Sequence, residues 1–269
     1  MVDSSETSSE TEPGADHRAM DSLDEARMGI LEHIAELRTR VVYSIIWLAI
    51  GFVVAWFWHD FLFQILLVPL EEGAPRAQAA QMHHKDLAEP IFVFLKVSFL
   101  AGAFIAAPGI LYNIWKFIAP GLYDSEKKLA VPFVLLGTLF FFAGASFCYF
   151  IVLPFGYNFL LDFSASVSEP QLMMAEYFAI TTKLLLGFGV IFELPVFSMF
   201  LTLIGVITHK TLLRFWRYAI VIAFLMAALF TPPDIVTQAM MAGPLIVLYG
   251  LSVLVAWIFS STDEDEEEL

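Results

Sequence analysis

Charge is the first scarcity in this sequence. Asp, Glu, Lys and Arg make up 16% of its 269 residues, against about a quarter in an ordinary soluble chain. Basic charge is scarcer still, with 14 Lys and Arg against 28 Asp and Glu and a formal net charge of −14. That balance offers no basic surface to a nucleic acid. Cysteine is nearly absent, and Cys148 alone excludes an intrachain disulfide. The phosphate-cradling loop, the H-E-x-x-H zinc helix and the G-x-S-x-G nucleophile turn are all missing. His83 and His84 are adjacent, so they point in different directions and give no metal-ligand spacing. No metal, no cofactor and no covalent catalytic centre is expected, so the chain reads as a non-enzyme. The first 25 residues are acidic and Ser-rich, without the basic start and early apolar core of a secretory signal.

What the chain does have is apolar length. Hydrophobic residues make up 59% of it, and a run of about 20 suffices to cross about 30 Å of hydrocarbon. The pattern predicts an all-α integral membrane protein with six transmembrane helices, at about 41–59, 91–115, 131–153, 177–204, 218–231 and 236–259. Pro132 and Pro154 are expected to bound the third. T-P-P-D at 231–234 is a turn signal that separates the last two. The uncharged part of the fifth, residues 218–230, would reach only about 20 Å at 1.5 Å per residue. A short fifth helix is therefore expected, one arm of a tight hairpin that does not cross fully, with thinning of the bilayer beside it.

Residues 23–40 place Ile30, Leu31, Ile34 and Leu37 on one helical face, which predicts an amphipathic interfacial helix leading into the first span. Phe61–Leu70 is apolar but too short to span, and is expected to cap one face. Residues 1–22 and 261–269 are acidic and poor in apolar residues, and read as disordered tails around a membrane domain at 23–260. With six spans, one side collects Arg18, Arg27, Arg38, Arg40, Lys116, Lys127, Lys128, Lys210, Arg214 and Arg217, and the other only Arg76 and Lys85. This asymmetry puts both termini in the cytoplasm. Most tryptophans fall near span ends, where indole prefers to sit, with Trp47 the exception.

The informative polar residues are those inside the apolar runs, where a charge costs at least about 2.5–3.5 kcal/mol at a helix centre. Glu193, in F-E-L-P, is either a protonated structural glutamate or a polar site facing a cavity or a partner's helix. Lys96 and Lys183 read as snorkelling or structural cations. Asp234 is placed to cap the sixth helix, and with Thr231 and Gln238 it forms a small polar patch suited to helix association. Glu36 and Arg40 stand four apart, as an ordinary helical ion pair does. Glu126, flanked by Lys127 and Lys128, reads by itself as a solvated charge. Glu193 at a broken helix leaves open a proton- or ion-coupled secondary transporter, although that class usually carries an internal repeat and none is visible.

Taken in order, several stretches resemble the TatC subunit of the twin-arginine protein translocase, the Sec-independent protein translocase family. They are H-I-A-E-L-R-T-R at 33–40, V-P-L at 68–70, A-P-G-I-L-Y-N-I-W-K-F-I-A-P-G-L-Y at 107–123, S-E-K-K at 125–128, F-E-L-P at 192–195, and T-P-P-D with Gln238. The resemblance implies a receptor and core subunit, with no cofactor, that binds Arg-Arg signal peptides of folded cargo at Glu36 and Glu126, with Arg38 and Arg40 shaping the site. It further implies short fifth and sixth helices, Glu193 on a concave membrane face, and TatA- and TatB-type single-span subunits docking near Thr231, Asp234 and Gln238. Self-association in a multimeric receptor complex in the bacterial inner membrane, and a proton-motive energy source, follow from the same likeness. Lys127 and Lys128 stand where the family often has arginines, and the long acidic tails depart from its compact pattern.

Overall fold

The computed structural model describes residues 13–73, 82–118, 130–166, 172–230 and 235–267. Among these residues the fold is helical throughout, with one isolated β-bridge between His83 and Met173. Six helical stretches are long and apolar enough to cross a membrane: Glu32–Trp56, Glu89–Ile118, Val131–Ala165, Met174–Leu203, His209–Leu229 and Gln238–Phe259. Bulky apolar side chains such as Leu135, Leu139, Val190 and Val247 point outward, more than three-fifths exposed. This is a face suited to lipid, not water.

Helix α1 runs unbroken over Pro13–Trp56. The expected surface helix and the first span are thus one element, because no Gly or Pro interrupts residues 30–50. Helix also extends into segments read as tails. It begins at Pro13, whose missing N–H suits a first helical position, and α9 (Ile235–Glu267) continues into the Glu-rich end, Glu being a good helix former. Helix α1 lies along α3 (Glu89–Ile118), and glycine permits the close approach: a Cβ on Gly102 would lie 2.6 Å from the Phe52 nitrogen. Trp47, out of place for an interfacial tryptophan, lays its indole on Gly109 of α3.

Helix α2 (His59–Gly73) is the expected short cap. It contains Pro69, which cannot donate to the Ile65 carbonyl. The Tyr149 hydroxyl donates to Ile65 O instead, at 2.7 Å, and Tyr177 donates to the neighbouring Leu66 O at 2.5 Å. Leu70 is fully buried, so the V-P-L stretch is a docking point for the cap.

The third span is longer than expected. Helix α4 (Ala130–Phe147) passes through a π-turn at Cys148–Val152 into α5 (Leu153–Ala165). Pro154 therefore sits within the helical path. The π-turn, with Leu153 N–H bonded to Cys148 O, absorbs the register change that a proline demands. The fourth span is divided: α6 (Met174–Ile191) breaks at Phe192–Glu193 and resumes as α7 (Leu194–Leu203), whose early Pro195 cannot continue the ladder. Helix α7 ends in a Schellman turn, with Val206 N–H on Leu201 O, Gly205 N–H on Thr202 O, and Gly205 at φ +71°.

The fifth and sixth spans, of 21 and 22 residues, are the shortest of the six, as expected, but helix α8 (His209–Phe230) is longer than its uncharged stretch. Its 22 residues reach about 33 Å. It begins before the uncharged stretch, because Thr208 caps it by accepting from Thr211 N–H at 3.3 Å. Helix α9 extends to 33 residues by running past its span into the acidic end, and packs against α8 and α7.

Two apolar cores hold these elements. One, around Phe178, Phe188, Val97 and Leu70, joins α2, α3 and α6 and reaches α9 at Met241 and Ala242. The other joins α3, α4 and α7 through Trp115, Phe133 and Phe200, whose ring centroids lie 4.8–5.5 Å apart.

Candidate functional site

Glu36 lies on α1, before its apolar run, on a helical turn that contains Arg40. Arg40 Nη2 donates to Glu36 Oε1 at 2.9 Å, and both side chains are half-buried. The pair is the expected i,i+4 contact, but its burial separates it from a solvated surface pair. Oε2 of Glu36 has no hydrogen bond to any described residue, so one edge of the carboxylate remains able to accept. Arg40 Nε is buried without a partner among the described residues, which leaves a second unused group beside it. Arg38 is exposed. The local frame is fixed by ring stacking of His33 of α1 on Phe117 of α3, with centroids 4.5 Å apart. Glu36 therefore stands beside the end of α3, from which the chain leads into 119–129. Glu126 falls in that segment, outside the described residues.

Glu193 occupies the break between α6 and α7. Its backbone N–H bonds Val190 O, and its carbonyl accepts from Phe197 N–H at 2.8 Å. Its side chain does not cap α7 and lies instead over Gly137 of α4. Oε1 is buried and lacks a hydrogen-bond partner among the described residues. A buried carboxyl oxygen without a donor is costly, unless another molecule supplies one. Sequence reasoning did not find Gly137, and nothing local in its apolar surroundings could have marked it.

Gln238, on the first turn of α9, donates from Nε2 to Phe224 O of α8 at 3.0 Å, tying the hairpin arms together. Thr231 and Asp234 lie outside the described residues. Glu36, Glu193 and Gln238 thus stand on three separate elements, on α1, at the α6–α7 break and on α9. Lys96 and Lys183 are both exposed. Among the described residues no group of three His, Cys, Asp or Glu could hold a metal ion.

At the end of the bundle that carries α2, the links between helices are polar. His83 exchanges backbone bonds with Leu172 and Met174, Lys85 Nζ donates to Glu176 at 2.7 Å, and Glu89 accepts from the N–H groups of Lys85 and Ala175. The Glu176 hydrogen bond, and its charge, raise the Lys85 pKa.

Residues 32–244 match the family described as Sec-independent protein translocase protein (TatC). A relative of that name from Desulforapulum autotrophicum is 43% identical over 92% of this chain and 91% of its own length. Another, from Aquifex aeolicus, is 40% identical over 84% and 93%. A solved structure of the twin-arginine translocase receptor TatC superposes with a TM-score of 0.75 at 39% identity, covering 83% of this chain and 97% of that one.

Proposed function

The chain belongs to the Sec-independent protein translocase (TatC) family, and from that premise we propose that Glu36 and Glu126 bind the paired arginines of a cargo signal peptide. The protein is a multi-pass membrane component of a protein translocase, the receptor and core subunit, and not an enzyme. The alternative of a proton- or ion-coupled secondary transporter falls with that assignment.

One observation carries the proposed site: Glu36 is half-buried and keeps an oxygen without a hydrogen bond to any described residue, beside its bond to Arg40. A guanidinium donating to that oxygen makes a charge-assisted bond worth about 1.5–3 kcal/mol, more where the site is shielded from water. Two carboxylates then match two guanidiniums. A lysine pair supplies the charge without the planar fork and binds less well. The signal's apolar segment follows into the membrane along the bundle. Glu193, together with Thr231, Asp234 and Gln238, receives TatA- and TatB-type single-span subunits, the partner supplying the donor that Glu193 Oε1 lacks. Both termini lie in the cytoplasm of a bacterial inner membrane, and several copies assemble in the receptor complex.

Photoreactive residues at Leu37 and Lys127 test the site while leaving both carboxylates in place. Signal peptides bearing Arg-Arg are expected to crosslink strongly at both positions, and Lys-Lys peptides far less. Glu36→Ala and Glu126→Ala are each expected to block export while the protein stays inserted and folded. Equal labelling by the two peptides, or normal export by both variants, removes the assignment.

A further inference from the structure

One face of α8 carries a pattern that cargo recognition does not use. Arg214, Arg217, Tyr218, Val221 and Leu225 are all exposed and are spaced i, i+3, i+4, i+7 and i+11. That spacing sets them on one side of the helix, over about 16 Å at 1.5 Å per residue. Along it the chemistry changes in one direction, from two guanidiniums, through a phenol, to two aliphatic side chains. The stripe is held in place from behind. Trp216 packs on Tyr249 of α9 with ring centroids 5.6 Å apart, and Tyr249 donates to Leu212 O at 2.8 Å. Phe215 pairs with Tyr218 at 5.7 Å and flanks the phenol. Both arginines line an open groove, and neither makes an ion pair or hydrogen bond with a described residue.

Two guanidiniums without a partner among the described residues, at the head of a membrane-crossing helix, call for an anion, and guanidinium holds phosphate by two parallel bonds. A free phosphate would use only the first two residues of the stripe. The aliphatic continuation fits a ligand with its anionic group and hydrocarbon in one molecule. The uncharged part of α8, Tyr218 to Phe230, spans about 20 Å where the hydrocarbon is about 30 Å thick. The headgroup layer must therefore come down to Arg217, or Arg217 must enter hydrocarbon. We infer that this stripe is a binding site for an anionic phospholipid, its phosphate between Arg214 and Arg217, its glycerol region on Tyr218 and an acyl chain along Val221 and Leu225. The ligand is a structural lipid that fixes the depth of α8 in the bilayer. Glu36 and Glu126 take no part, so this site and the cargo site stand or fall separately.

Native mass spectrometry of the full chain in detergent tests it, with dioleoylphosphatidylglycerol, dioleoylphosphatidylcholine and inorganic phosphate as separate probes. Phosphatidylglycerol is expected to bind in preference to phosphatidylcholine. The Arg214→Gln, Arg217→Gln pair is expected to weaken phosphatidylglycerol about fivefold per arginine and to leave phosphatidylcholine unchanged. Inorganic phosphate is expected not to displace the lipid. Equal binding of the two lipids, equal binding by the variant, or displacement by phosphate overturns the site. If the variant does not fold, a benzophenone at Tyr218 in otherwise unaltered protein decides the matter in vesicles. It should label phosphatidylglycerol over phosphatidylcholine, with no such preference from the same probe at Leu229, and a lack of preference at both positions overturns the site.

Discussion

At Glu193 the carboxylate rests where a side chain on Gly137 would otherwise stand, and a Cβ there would lie 2.9 Å from Oε2 and 3.4 Å from Oε1. The atoms in conflict are the far end of a flexible side chain, so Gly137→Ala is expected to move the carboxylate and spare the backbone. Its cost in stability should be under about 1 kcal/mol, while recovery of single-span partners by co-purification falls several-fold. Glu193→Gln, which keeps a hydrogen-bonding head, should retain those partners, and Glu193→Ala should lose them. Full partner recovery with both Gly137→Ala and Glu193→Ala would show that this carboxylate docks nothing. The Glu36–Arg40 pair was legible in the sequence because four-residue spacing on a helix is local information. Its partial burial was not, since that depends on α3 lying alongside. The approach of Glu193 to Gly137 was illegible for the same reason, as no local pattern tells which of many apolar-flanked glycines meets a distant carboxylate.

The elements are governed by where prolines leave carbonyls without donors. In α2 the loss at Pro69 is repaired from another helix, by Tyr149. Removing that hydroxyl with Tyr149→Phe should cost about 1–2 kcal/mol, because it leaves the Ile65 carbonyl unsatisfied in a part-buried setting. Pro69→Ala restores the local N–H, so in that background the same Tyr149→Phe change should cost distinctly less. Thermal unfolding of the four proteins in detergent measures this coupling, and strictly additive shifts would mean that the hydroxyl does not stand in for the missing N–H. The number and order of the helices were readable from apolar runs, because a span needs only length and hydrophobicity. Their ends were less readable. Pro154 looked like a terminator, yet the chain continues through a π-turn, and α8 extends back to Thr208 because a cap can start a helix within a charged segment. In both places backbone hydrogen bonding overrides the composition of the stretch.

For the molecule as a whole, the orientation rests on the sorting of ten basic residues from two, with Lys96 and Lys183 set aside within spans. Among the described residues the fold keeps one member of the smaller set apart from three of the larger. Lys85, paired with Glu176, sits where the α2–α3 and α5–α6 connections meet, while Lys210, Arg214 and Arg217 lie on the first turns of α8. Cys148 is fully buried, so the chain offers a nearly silent background for thiol labelling. His84, exposed beside the His83 bridge, and Val206, 65% exposed between α7 and α8, are therefore suitable single reporters. In intact cells a membrane-impermeant maleimide should reach His84→Cys and not Val206→Cys, and breaking the membrane should expose both. Labelling of Val206→Cys alone in intact cells would invert the molecule. Glu36, on the side of the basic loops, would then face the outer compartment, and a carboxylate there could not meet a signal peptide arriving from the cytoplasm.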